Sequence, residues 1–134
     1  MGIKLTTHEI RAVSIFERLA GVHVKDCLTD DENVYFLIES GKMGAAIGKN
    51  GMKIKNISKV LGKRVKVFEY AETPEELIKN FIPSAKNVQI EGDTMTVNVP
   101  NNERSTIIGK NGRNIKMIRE FLKRHFKINN LRLK

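Results

Sequence analysis

Apolar residues fall in short blocks along this chain, and their spacing alternates between a helical and an extended period. The first block has the three-to-four-residue spacing of an amphipathic helix and comprises Ile10, Val13, Ile15, Phe16 and Leu19. Thr6-x-x-Glu9 ahead of it has the sequence of a capping box, and Gly21 after it is typical of a helix end. We therefore predict an opening helix that buries this apolar face.

The rest of the first half predicts strands and two further helices. β-Branched and aromatic residues predict strands over residues 22–29 and 34–38, with a polar turn between them. A short helix over about 43–47 and a longer one over 52–61, closed by Gly62, come next. Partial alternation then predicts a strand over 65–68.

The second half predicts the same order of elements. Thr73-Pro74-Glu75-Glu76 is a strong helix start, and that helix ends by Pro83. Residues 87–90 and 95–99 alternate around Gly92-Asp93, which indicates a hairpin. A helix beginning at Pro100-Asn101, a long helix over 113–126 and a strand over 131–133 complete the prediction.

A repeated pentapeptide explains why the two halves match. Ile47-Gly48-Lys49-Asn50-Gly51 recurs 61 residues later as Ile108-Gly109-Lys110-Asn111-Gly112, and the register continues downstream without a gap. We therefore predict an α/β (α+β) chain of two modules, 1–71 and 72–134, each with a small three-stranded sheet packed with helices. Because a core of that size is marginal alone, we expect the modules to pack on each other.

Charge is segregated along the chain, whose net charge is +9. Eighteen of the 24 Lys and Arg residues lie in two stretches, 42–66 and 104–134, and Glu120 is the only acid in either. Solvated helix faces usually mix both signs. Two nearly acid-free stretches instead favour a polyanion as the partner.

The repeated loop suits a phosphate backbone. Glycine lacks a Cβ, so a Gly-x-x-Gly turn lets a ligand approach the main chain closely. The amides and dipole of the helix that follows attract anions. Lys49 and Lys110 add charge, while Asn50 and Asn111 tolerate unusual backbone angles and offer amide donors. Two copies, each ahead of a basic helix, favour nucleic-acid binding over a turn in which glycine only relieves strain.

Ile-Gly-Lys-Asn-Gly followed by Ile-Lys resembles the signature of KH domains. The leading helix resembles the prokaryotic, type II arrangement, and two such modules in a short chain are similar to the archaeal NusA-like transcription factors. The resemblance implies single-stranded RNA held by its backbone at the loops, with bases along an aliphatic groove. The implied RNA-binding residues are Ile47, Gly48, Lys49, Asn50, Gly51, Lys53, Ile54 and Lys55 in the first module, and Ile108, Gly109, Lys110, Asn111, Gly112, Arg113, Ile115 and Lys116 in the second. For Ile47, Ile54, Ile108 and Ile115, core packing is an equal alternative.

The resemblance also implies a role in transcription elongation or termination, with RNA polymerase or the transcription complex as a further partner. Bacterial NusA has a polymerase-binding domain and an OB-type barrel ahead of its KH pair, and neither fits within 134 residues. Alternatives are a ribosome- or RNA-processing-associated KH protein and a helix-turn-helix reader of duplex DNA through Lys53, Asn56 and Lys59.

An enzyme is not indicated. His8, His23 and His125 are isolated, Cys27 is the single cysteine, and no NTP-binding loop motif occurs, so we predict no catalytic residue, metal or cofactor. No apolar run would span a membrane, and the first residues, with Lys4 and Glu9 among them, lack a signal core. We expect a cytoplasmic monomer that binds no membrane.

Overall fold

The computed structural model describes residues 5–134. The prediction that no secretory signal opens the chain rests partly on residues 1–4, which lie outside the described residues. The chain divides into two compact units, of which the first ends at Tyr70 and the second runs from Ala71 to Lys134.

The first unit has three helices and a three-stranded sheet in the described residues. Its elements are α1 (Thr7–Ala20), β1 (Val24–Thr29), β2 (Asn33–Ile38), α2 (Met43–Ile47), α3 (Met52–Leu61) and β3 (Arg64–Glu69). The strand order is β1-β2-β3, in which β1 runs antiparallel to β2 and β3 runs parallel to it. A glycine loop joins α2 to α3, as the sequence predicted.

Helix α1 begins at the predicted capping box. The amide of Glu9 donates to Thr6 Oγ1 at 3.1 Å, and the amide of Thr6 donates to Glu9 Oε1 at 3.0 Å. The amide of Gly21, in a left-handed conformation, donates to the Glu17 carbonyl and ends the helix. These local signals therefore fix both ends of α1 as expected.

The predicted apolar face of α1 is wrong in part. The buried apolar residues are Ala12, Phe16 and Ala20, whereas Ile10 is 57% exposed and Leu19 is also exposed. Ala12 and Ala20 lie in one core cluster with the strand residues Val24 and Val34, and the ring of Phe16 packs on Phe36 with 4.3 Å between centroids. The buried stripe is thus rotated around the helix from the one that the largest apolar residues indicate.

The second unit repeats the order. Its elements are α4 (Pro74–Phe81), β4 (Lys86–Glu91), β5 (Thr94–Asn98), α5 (Arg104–Ile108), α6 (Arg113–Phe126) and β6 (Asn130–Leu133). Strand β5 is central, antiparallel to β4 and parallel to β6. A helix beginning at Pro100-Asn101 was predicted, but Asn101–Glu103 forms a separate 3-10 turn and α5 begins at Arg104.

Helices α4 and α6 pack through aromatic rings. Phe81 and Phe121 stack with centroids 5.8 Å apart and planes 2° from parallel. Thr73 caps α4 by accepting the amide of Glu76, and Pro74 occupies the first turn. Both units therefore confirm the predicted mixed α and β class, with a three-stranded sheet packed against helices in each.

Candidate nucleic-acid interface

The two glycine loops have the same backbone conformation. Each is a 3-10 turn, Lys49–Gly51 and Lys110–Gly112, between a short helix and a longer one. Gly48 has φ 77° and ψ 175°, and Gly109 has φ 79° and ψ 170°. Positive φ in this region is readily adopted only by glycine, so the first glycine of each loop is required by its geometry.

A hydrogen bond closes each loop. The amide of Gly51 donates to the carbonyl of Gly48 at 3.2 Å, and the amide of Gly112 donates to the carbonyl of Gly109 at 3.1 Å. The two lysine and two asparagine side chains between these glycines are exposed. Each loop therefore presents one cationic and one amide side chain on a tightly folded turn.

The helices that follow the loops begin without a side-chain cap. In the described part of the chain, α1 and α4 are capped by Thr6 and Thr73, whereas α3 and α6 begin after Gly51 and Gly112 with no capping side chain and no acid in the first turn. The first amides of a helix lack intrahelical acceptors, and the helix dipole is positive there. An anion can therefore serve as the ligand of α3 and α6 at this end.

Other cations extend the same surfaces. Lys55 and Lys59 are exposed one turn apart on α3, and Lys116 and Lys123 are exposed two turns apart on α6. Arg113, in the first turn of α6, is half-buried. The exposed lysines continue a positive surface along each helix away from its loop.

Several basic residues within the two charged stretches serve the fold instead. Lys63 Nζ donates to the Asp30 carbonyl at 2.8 Å, and Arg124 pairs with Glu120 at 3.0 Å. Arg104 and Arg119 donate to backbone carbonyls of β6, each at 3.1 Å. The basic surface is consequently narrower than the sequence count of cations indicates.

The four isoleucines assigned to a groove differ in accessibility. Ile47 is 37% exposed and Ile108 is half-buried, which leaves apolar surface beside each loop. Ile54 is half-buried and packs against the core of the first unit, while Ile115 is 7% exposed and belongs to the core of the second. Of the two alternatives stated for these residues, core packing describes Ile115.

Lys53 differs from the other predicted lysines. Its Nζ donates to the carbonyls of Ala20 at 3.0 Å and Ala45 at 2.9 Å. The equivalent residue in the second unit is Asn114, which was not among the residues predicted to bind RNA, and its Nδ2 donates to the Thr106 carbonyl at 3.2 Å. The 61-residue repeat could have identified this position, because both copies carry a hydrogen-bond donor there.

Two further properties concern only residues 5–134. None of the helices in this part of the chain is both long enough and apolar enough to cross a membrane. No group of three or more His, Cys, Asp or Glu side chains within it is arranged to hold a metal ion.

The fold and the paired loops define a protein with two tandem KH domains. The sequence-family model of the KH domain matches residues 9–82, and that of the NusA-like second KH domain matches residues 74–133. The chain belongs to the NusA-like KH family.

Archaeal relatives extend over nearly the whole chain. The "Probable transcription termination protein NusA" of Methanocaldococcus jannaschii is 34% identical, with 98% of this chain and 75% of the relative covered. The protein of the same name from Halobacterium salinarum is 32% identical, with 99% of each chain covered. The crystal structure of APE1850 superimposes with a TM-score of 0.79 at 30% identity, covering 97% of this chain and all of that one.

Proposed function

We propose that this protein binds single-stranded RNA during transcription elongation or termination. In this proposal Lys49, Asn50, Lys110 and Asn111, with the main chain of the loops, hold the RNA backbone. Ile47 and Ile108 border the grooves in which bases lie. KH domains as a class bind about four nucleotides in this manner.

The identical geometry of the two loops is the observation that supports the proposal most. A turn that only joined two helices could vary between the units, yet Asn50 and Asn111 agree within a few degrees. Both turns precede a helix that starts with neither a side-chain cap nor an acid. Loop amides, helix dipole and exposed lysine are all suited to one ligand group, a phosphodiester.

A charge-reversed variant tests the role of the loops. Lys49→Asp, Asn50→Asp, Lys110→Asp and Asn111→Asp together place four carboxylates where phosphate would bind, and we expect RNA binding to be lost. Circular dichroism should be unchanged, because these side chains are exposed. Binding is measured by fluorescence anisotropy with a labelled single-stranded RNA.

A matched control separates position from net charge. Lys79, Asn80, Lys86 and Asn87 are also exposed, and changing all four to Asp alters the net charge of the protein by the same amount. We expect this control to lose affinity only modestly. Equal losses in the two variants would mean that overall charge, rather than the loops, governs binding.

The type of nucleic acid distinguishes this proposal from duplex recognition. We expect single-stranded RNA to bind more tightly than a DNA duplex of matched length, with affinity falling as salt rises. Equal or tighter binding of the duplex would favour a helix-turn-helix reader.

The transcriptional role is supported by the archaeal relatives, which are named as probable transcription termination proteins. We propose that the protein acts in the cytoplasm as a monomer on nascent RNA, with RNA polymerase or the transcription complex as a second partner. Crosslinking in the source cells, followed by sequencing of the bound RNA, tests this role. Enrichment of nascent transcripts is expected, whereas enrichment of ribosomal RNA alone would favour a ribosome-associated protein.

A further inference from the structure

Lys53, in the first turn of α3, packs against the first glycine loop. Its ammonium group joins the last residue of α1, through the Ala20 carbonyl, to the last turn of α2, through the Ala45 carbonyl. Its aliphatic stem fills the space beside Gly48, where an added Cβ would lie 2.7 Å from Lys53 Cγ. The missing Cβ of Gly48 thus makes room for this bridge.

Asn114 makes the corresponding bridge in the second unit. Its Nδ2 donates to Thr106, which occupies the position of Ala45 in the repeat. A Cβ on Gly109 would lie 3.0 Å from Asn114 Cβ, Cγ and backbone nitrogen. The two bridging side chains differ in charge, because Lys53 is cationic and Asn114 is neutral. What they share is a donor that reaches across the loop to the preceding helix.

We propose that Lys53 and Asn114 are positioning residues, which set the angle between the two helices at each loop and do not contact RNA themselves. The inference rests on the RNA-binding function proposed above, and it removes Lys53 from the RNA-binding residues that the sequence resemblance implied. Two of the three donors on its ammonium are already bound to carbonyls, whereas Lys49 and Lys55 are exposed. The role does not require a positive charge, because the neutral side chain of Asn114 has the same role in the second unit.

Salt dependence separates positioning from phosphate contact. We expect Lys53→Ala to weaken RNA binding about fivefold, the scale of the one hydrogen bond that joins α3 to α2 across the loop, without changing the slope of log K against log salt concentration. Lys53→Asn should recover most of that loss, because the amide can reach Ala45 as Asn114 reaches Thr106. The exposed neighbour is the control. Lys55→Ala should make the negative slope shallower by about 0.7, as expected for one lost phosphate contact to a single strand.

The opposite pattern would overturn the proposal. If Lys53→Asn binds as weakly as Lys53→Ala, and both make the negative slope shallower by about 0.7, the ammonium contacts phosphate. The same conclusion would follow if the slope changes by as much in both Lys53 variants as it does in Lys55→Ala.

Hydrogen exchange tests the positioning role without RNA. The amides of Gly48 and Gly51 are bonded to the Gly44 and Gly48 carbonyls, so they report on the loop directly. We expect faster exchange at both in Lys53→Ala and near-native exchange in Lys53→Asn. Unchanged exchange in Lys53→Ala would overturn the proposal.

The second unit provides an independent variant. Asn114→Ala should speed exchange at Gly109 and Gly112, whose amides are bonded to the Ser105 and Gly109 carbonyls. This measurement decides the proposal if Lys53→Ala does not fold. If the unaltered protein fails to bind RNA, the RNA-binding function fails while hydrogen exchange still decides the positioning role.

Discussion

Asn50 and Asn111 have the same left-handed backbone conformation, with φ 56° and ψ 26° in the first loop and φ 56° and ψ 24° in the second. Each is followed by a glycine that is also left-handed. Two successive residues with positive φ turn the chain sharply between the two helices. Asparagine is among the few residues with a side chain that adopt this conformation readily.

This conformation predicts how substitutions at the two asparagines rank. Valine at both positions should destabilise the protein by about 1–2 kcal/mol per site, because a β-branched residue at positive φ is strained. Glycine adopts the same angles without a Cβ, so the Gly variants should lie within about 0.5 kcal/mol of the native free energy of unfolding. Urea denaturation measures both. Equal stability of the Val and Gly variants would show that the loop can relax to other angles at no cost.

Space, as well as backbone angle, distinguishes the two glycines of the second loop. Gly109 and Gly112 both have positive φ, but an added Cβ at Gly112 meets only ordinary contacts at 3.8 Å or more. At Gly109 it meets Asn114 at 3.0 Å, including a backbone nitrogen that cannot rotate away. We expect Gly109→Ala to be more destabilising than Gly112→Ala by about 1 kcal/mol or more, the scale of modest overpacking.

Gly112→Ala is the reference for a left-handed residue with open space around it, since Gly112 has φ 72° and ψ 17°, whereas Gly109 has φ 79° and ψ 170°, angles that only glycine adopts readily. Urea unfolding of the two single variants, at one pH and salt concentration, measures the difference. A Gly112→Ala variant as unstable as Gly109→Ala would show that neither the contact with Asn114 nor the glycine-specific backbone angles of Gly109 add a cost.

Local sequence signals predicted most of the fold because they act over a few residues. Glycines mark the limits of the loops and the ends of α1 and α3, and threonines mark the starts of α1 and α4. Hydropathy placed the buried face of α1 less well, because it ranks Ile10 above Ala12 and Ala20. Which face of a helix is buried depends on how closely the sheet approaches, and small residues permit the closest approach.

The candidate site was predictable to the same extent. The loop residues follow from the repeat and the glycine spacing. The bridge from Lys53 to Ala20 does not, because it joins residues 33 positions apart whose proximity depends on the packing of α1 against α3. Likewise, the isoleucine pattern alone could not separate Ile115 in the core from Ile47 at the surface.

The turn between β1 and β2 predicts a pH-dependent contribution to stability. Asp30 is partly buried, which alone would raise its pKa, but hydrogen bonds from the Tyr35 hydroxyl and the amides of Glu32 and Asn33 outweigh burial. The pKa of Asp30 is consequently below its ordinary value of 3.8. The Lys63 ammonium donates to the backbone carbonyl of Asp30, and the groups that lower the pKa of its carboxyl are neutral hydrogen-bond donors.

The sign of the effect follows from the lowered pKa. The carboxylate binds protons less readily in the folded state than in the unfolded state, so its stabilising contribution is present above the unfolded pKa. It is lost as pH falls through the lowered folded pKa, in the range below 3.8. Asp30→Asn should therefore be less stable than the native protein at pH 7, because an amide cannot accept all of these hydrogen bonds. The difference should narrow as pH is lowered toward the acid limit.

Thermal unfolding from pH 7 downward measures this difference for both proteins. Asp31→Asn is the matched control, since it removes the same charge from an exposed position in the same turn. Its difference from the native protein should be smaller than that of Asp30→Asn at pH 7. A gap between the native protein and Asp30→Asn that stays constant across the whole pH range would mean that the hydrogen bonds in this turn do not depend on ionised Asp30.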